Sequence, residues 1–120
     1  MSRNLVLKLT VAGEAPERCA QGLTVAATAV ASGIAVSLWL TGDAVFFAVP
    51  GREPNIELPY SAPMPDLIAA VIEGGQVTAC TQCLARRELT AEDLSPGVRI
   101  AGAAGFLDEA LGDQAQALVY

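Results

Sequence analysis

Gly75-Gln76-Val77-Thr78-Ala79-Cys80-Thr81-Gln82-Cys83-Leu84-Ala85-Arg86-Arg87-Glu88-Leu89 is the stretch on which the fold turns. Gly74-Gly75 stops a helical stripe made by Met64, Leu67, Ile68, Val71 and Ile72. Gln76 to Ala79 then reads as a short strand that runs directly into Cys80-Thr81-Gln82-Cys83. Leu84 to about Leu89 continues as a helical turn or short helix. Helix, strand and helix thus follow one another within about thirty residues, the signature of strands joined by helical crossovers.

The same alternation extends in both directions. Upstream, Leu5 to Val11 is a short, mostly apolar run that reads as a buried strand. Pro16 opens a helix, where its missing N–H costs nothing. Cys19, Leu23, Ala26, Ala27 and Val30 share one face of that helix, and Gly33 stops it. Ile34 to Leu40 is a second solid run. Thr41-Gly42-Asp43 turns the chain, and a short apolar helix from Asp43 to about Ala48 is expected. Val49 to Pro65 holds five prolines, which exclude a central strand or a continuous helix there. A stretch of this length is commonly a lid, an interface or a mobile segment.

Downstream, Thr90 with Glu92 and Asp93 begins a further helical turn. Gly97 to Ala101 reads as a fourth strand, and Ala103 to Leu111 as a small helix packing through Phe106, Leu107, Ala110 and Leu111. Ala117 to Val119 is a fifth strand. The expected fold is one α/β domain over residues 1–120: a doubly wound, flavodoxin-like three-layer sandwich around a mainly parallel five-stranded sheet. Ligands in such sheets meet the C-terminal ends of the strands. That rule selects Ala12 to Ala15, Thr41 to Asp43, and Cys80 to Cys83.

Bulk properties narrow the function. The 120 residues suit one domain with one core, and 52% of them are apolar. Mean hydropathy is +0.44, but no apolar stretch approaches the ~20 residues of a membrane span. Met1-Ser2-Arg3-Asn4 leads straight into the first strand without a signal-peptide pattern, so a cytoplasmic location is expected. A net charge of −6 argues against nucleic acid and against an anionic membrane. There is no histidine, so Ser-His and Cys-His dyads in their usual form are excluded. The three cysteines should be thiols in a reducing compartment.

Cys80 and Cys83 are the candidate catalytic pair. A thiol where a strand gives way to a helix meets unpaired N–H groups and the positive end of the helix dipole, both of which favour thiolate. The two-residue spacing puts the second thiol about one turn later, the geometry of a nucleophile and a resolving thiol. Arg86 and Arg87 follow one turn on and can add positive potential. Asp43 either orients a substrate or partner near the thiols or caps the next short helix. Both thiols can also be buried apolar groups, as Cys19 is expected to be. No cofactor is called for, and two thiols alone cannot close a tetrahedral metal site unless a dimer shares four. Gly102-Ala103-Ala104-Gly105 lacks the phosphate-loop pattern and reads as close packing of helix on strand. Phe46, Phe47 and Tyr60 either form an exposed patch covered on oligomerisation or fold the proline-rich loop onto the sheet.

These elements together resemble the DsrE/DsrF-like family of sulfur-relay proteins. The resemblance rests on Leu5 to Arg18, on Val36-Ser37-Leu38-Trp39-Leu40-Thr41-Gly42-Asp43, on Gly75 to Cys80, and on the basic turn Cys83 to Leu89. It implies a three-layer α/β fold and self-association as trimers or hexamers. It also implies, as in TusD-like relay members, a cysteine at the position of Cys80 that accepts sulfane sulfur as a persulfide and passes it to an acceptor protein. Cys83 resembles the second cysteine of stand-alone members. Three functions stand open on this reading: sulfur transfer through Cys80, thiol–disulfide or peroxide-linked redox chemistry of the pair, and a non-catalytic oligomeric binding module.

Overall fold

The computed structural model describes residues 3–120. Met1 and Ser2, part of the stretch read as running straight into the first strand, lie outside the described residues. Five strands are formed: β1 (Asn4–Leu9), β2 (Ala35–Leu40), β3 (Gln76–Cys80), β4 (Arg99–Ala101) and β5 (Ala115–Val119). They are joined by α1 (Pro16–Ala31), α2 (Met64–Gly74), α3 (Thr81–Arg86) and α4 (Ala103–Ala110). Two 3-10 turns, Gly42–Ala48 and Ala91–Asp93, complete the order.

All four pairings are parallel, in the order β4-β3-β2-β1-β5. The expected sheet is therefore present and wholly parallel. Its strand order differs from the flavodoxin order 2-1-3-4-5. β2, β3 and β4 are added in succession on one side of β1, and the chain reverses only to place β5 on the other. The reversal point lies between β1 and β5. It is closed by the chain itself, because Thr10 donates from its N–H and its Oγ1 to the Tyr120 carbonyl at 2.8 and 2.6 Å.

The two faces of the sheet are covered unequally. Right-handed crossovers place α1 and α2 together on one face, where they pack on each other. Leu7, Leu9, Val36, Leu38, Leu40, Val77 and Ala79 point to this side and join Cys19, Leu23, Ala26, Ile68 and Val71 in the main core. Cys19 is fully buried, as its place on the inner stripe required. The last crossover runs the other way and puts α4 alone on the opposite face, over Trp39. Gly105 permits that approach, since a Cβ there would stand 3.2 Å from Trp39 Cη2.

The packing face of α4 is not the expected one. Phe106 does turn inward and meets Trp39 edge-to-face at 5.6 Å. Leu107 and Leu111 instead point to solvent, 53% and 78% exposed. The orientation is fixed by polar contacts that periodicity does not register. Glu109 accepts from Ser37 Oγ and from Trp39 Nε1 (3.1 Å), and its other oxygen pairs with Arg99 at 2.7 Å. Arg99 also donates to Thr78 Oγ1 at 2.8 and 3.1 Å, satisfying a hydroxyl that is wholly buried. The exposed position of Leu107 and Leu111 follows from Glu109 facing the sheet.

The proline-rich stretch forms no helix or strand until Met64, and Pro65 sits in the first turn of α2, where proline is tolerated. Its aromatic residues divide between the two expectations. Phe47 is buried and Phe46 half-buried against the core, whereas Tyr60 is fully exposed in a left-handed conformation (φ 63°).

Candidate functional site around Cys80 and Cys83

β3 ends at Cys80 and α3 begins at Thr81, at the thiol pair where the change from strand to helix was expected; the helix stops at Arg86, short of Leu89. Cys80 therefore occupies the capping position, with extended backbone (φ −68°, ψ 128°), and Cys83 lies one turn inside the helix. The two thiols differ in access. Cys80 is partly buried and still reaches the surface, while Cys83 is 8% exposed and packs in the core.

Four groups act on Cys80. Partial burial opposes its ionisation, but the N–H and the thiol of Cys83, the N–H of Gln82 and the charge of Lys8 outweigh it, so the Cys80 pKa lies below that of an ordinary thiol. In its protonated form the thiol donates to Gln82 Oε1 at 3.5 Å. Cys19 behaves oppositely: burial, with the nearby Glu14 charge, pushes it up to about 11. Of the two, only Cys80 combines access with a favoured thiolate.

The loop after β2 meets the loop after β3. The Gly42 N–H donates to Cys83 Sγ at 3.2 Å, and Arg86 Nη1 stands 4.0 Å from the same sulfur. Arg87 reaches back across the joint. Its Nε and Nη2 donate to Asp43 Oδ1 at 3.0 and 2.9 Å, and its Nη1 donates to the Cys83 carbonyl at 3.0 Å. Asp43 thus lies in the first turn of the 3-10 segment and makes no cap; Thr41 occupies the capping position. Asp43 and Arg87 form a clamp between the two loops, and Arg86 is the arginine nearer the thiols. The third loop selected by the sheet rule, Ala12 to Ala15, closes locally through Ala12 N–H to Glu14 Oε1 at 2.6 Å.

Gly42 and Gln82 fall within the Thr41–Asp43 and Cys80–Cys83 loops that the sheet rule selects, without a role of their own there, and Lys8 lies outside all of them. Lys8 carried the one available signal, a lone charge inside the apolar run Leu5 to Val11. No group of three or more potential metal ligands occurs among the described residues. Hollows of about 560 Å³, between α1 and Leu58–Ala62, and about 550 Å³, at the opposite end of the sheet by Asn4 and Gln76, both lie away from the thiols. Cys80 is approached from the surface.

The DsrE/DsrF-like family model matches residues 5–118. The chain belongs to the DsrE/DsrF-like family. A relative, the uncharacterized protein MK0008 of Methanopyrus kandleri, is 35% identical over 94 residues, covering 76% of this chain and 75% of its own. Among solved structures, the ychN protein of E. coli superposes with a TM-score of 0.78 at 18% identity over the whole of both chains. MTH1491 of Methanobacterium thermoautotrophicum, a protein of unknown function, gives 0.69 at 11% identity, covering 99% of this chain and all of its own. These likenesses establish the DsrE-like fold. No helix among the described residues is long and apolar enough to cross a membrane.

Proposed function

We propose that this DsrE-like protein carries sulfane sulfur on Cys80. The observation that carries the reading is the contrast between the thiols: Cys80 is accessible with its thiolate favoured, while Cys19 and Cys83 are buried. A thiolate so placed attacks the outer sulfur of a donor persulfide. The new S–S bond forms to Cys80, the donor's own S–S bond breaks, and the donor leaves as thiolate and takes up the proton of the transferred sulfur. The reverse exchange hands the sulfur to an acceptor thiolate. Asp43 and Arg87 hold the two loops around the pair, and Arg86 adds positive charge beside it. The reading places the protein in the reducing cytoplasm, where all three thiols stay free. It also has the protein act as a homo-oligomer, a trimer or hexamer. The exposed side chains Leu107, Leu111, Val119 and Tyr60 support this, as apolar surface that association would cover.

A second reading is favoured by the placement of Cys80 at the cap of α3 with Cys83 one turn inside it. Cys83 can attack the sulfur of a Cys80 persulfide, forming the Cys80–Cys83 disulfide and releasing hydrosulfide, and the pair can equally serve dithiol–disulfide exchange.

Intact-protein mass spectrometry after incubation with polysulfide separates these readings. A stable gain of about 32 Da in the parent and in Cys83→Ser, lost in Cys80→Ser, is the expected result. A loss of about 2 Da in the parent alone, reversed by dithiothreitol, selects the redox pair. No adduct and no disulfide, with native thiols inert, overturns both and leaves a binding module. Light scattering on the purified chain reads the oligomeric state, and a monomer at all concentrations removes that part of the proposal.

A further inference from the structure

After the exposed Asn4, β1 is apolar except for Lys8, the one charged residue of the strand, which lies between Leu7 and Leu9, both fully buried. Parallel register sets Lys8 opposite Trp39 of β2 and Val119 of β5, and sets Trp39 opposite Thr78 of β3. Alternation of side chains then puts Lys8, Trp39, Thr78 and Cys80 on one face of the sheet, the face under α4. Lys8 and Cys80 both lie toward the C-terminal ends of their strands.

The ammonium of Lys8 stands 4.2 Å from the centroid of the Phe106 ring. Phe106 is held by α4, which Glu109 anchors to Ser37, Trp39 and Arg99. Among the described residues the ion pairs are Arg87–Asp43 and Arg99–Glu109, and Lys8 takes part in neither. A half-buried cation whose partner is a ring face keeps most of its charge uncompensated. In a chain with thirteen acidic residues, none forms an ion pair with Lys8, the single lysine of the sequence. The Gly102 turn into α4 lies beside Gln82 and Thr81, which closes the same corner of the sheet over Cys80.

We propose that Lys8, held over Phe106, is the anion-binding residue of the Cys80 site, and that the site takes small anionic sulfur species with a charged terminal sulfur. The identity of the cargo as sulfur rests on the function proposed above; the selection for negative charge does not. With hydrogen disulfide as donor, the Cys80 thiolate forms an S–S bond to one sulfur. The S–S bond of the donor breaks, and hydrosulfide leaves with the proton. The product is a Cys80 persulfide anion, whose terminal charge Lys8 holds. The lysine stem packs against the ring in either state, so its charge is what serves the ligand.

The test compares two alkylating reagents of similar size, anionic iodoacetate and neutral iodoacetamide, on the full chain, with adducts at Cys80 quantified by peptide mapping. Both rates scale with the thiolate fraction, so their ratio isolates attraction of the anion. Lys8→Met is expected to lower the iodoacetate-to-iodoacetamide ratio about five- to tenfold, with Lys8→Arg restoring most of it. A ratio unchanged in a folded Lys8→Met overturns the proposal. Phe106→Leu, which frees the ammonium from its ring, should lower the ratio in the same direction and serves if Lys8→Met does not fold. Polysulfide loading runs as a separate arm. A parent protein that takes up no sulfur, yet loses its preference for iodoacetate in Lys8→Met, overturns the sulfur reading and leaves Lys8 as an anion site.

Discussion

The backbone N–H of Gly42 donates to Cys83 Sγ at 3.2 Å, which ties the turn after β2 to the second thiol after β3. The bond depends on a glycine. Gly42 has φ +57°, and a Cβ there would lie 3.2 Å from the Thr10 carbonyl oxygen. The buried thiol is thereby positioned by a backbone conformation that other residues adopt only under strain.

Gly42→Ala should therefore cost about 1 kcal/mol or more in urea unfolding and should withdraw the N–H from Cys83. Cys83 is expected to react faster with a thiol reagent in the variant than in the parent. Equal stability together with an unchanged Cys83 rate would refute this role for the turn.

Native thiol labelling should proceed in a fixed order. Cys80 reacts first, Cys83 more slowly, and Cys19 only after unfolding in guanidinium, because it is wholly buried and its pKa is pushed up to about 11. The alkylation rate of Cys80 should rise with pH through a midpoint below that of a free thiol. Cys83→Ala should move that midpoint upward, since the Cys83 thiol is among the groups that favour the Cys80 thiolate. Because the folded pKa is the lower one, this ionisation stabilises the fold above the unfolded thiol's pKa. The contribution disappears as pH falls through the folded value.

Trp39, the single tryptophan, reports the docking of α4. The Glu109 carboxyl is partly buried, which raises its pKa, but bonds from Arg99, Ser37 and Trp39 outweigh this and hold it below the ordinary value of 4.5. Its stabilising effect is complete above that value and is lost as pH falls through the lower folded pKa. Trp39 fluorescence should change in that acid range, and Glu109→Gln should show the change already at pH 7. A fluorescence profile identical in parent and variant from pH 7 to strong acid would count against this anchoring role.

Asp43 and Arg87 are 54% and 23% exposed, so their ion pair is a modest one. Asp43→Asn should cost about 0.2–1 kcal/mol in chemical denaturation. If the clamp positions the thiols, the variant should also slow persulfide formation on Cys80 by more than that stability loss implies. Wild-type kinetics in the variant would reduce the pair to a surface contact.

The alternation of solid apolar runs with 3.6-residue stripes determined the strands, the helices and the parallel sheet, because burial on both faces demands that pattern. Pro16, Gly33 and the Gly74-Gly75 pair placed the helix ends by backbone constraint alone. The Cys-x-x-Cys at the end of β3 was legible for the same reason: the strand-to-helix junction is a local feature. Tertiary structure decided what joins across strands. The strand order, the Arg87–Asp43 clamp, the Gly42 bond to Cys83 and the place of Lys8 on the same sheet face as Cys80 link residues tens of positions apart. The outward turn of Leu107 and Leu111 belongs with them. Helical periodicity weighs apolar burial, whereas α4 is oriented by Glu109 reaching Ser37, Trp39 and Arg99. Such contacts exist only once the sheet has brought these residues together.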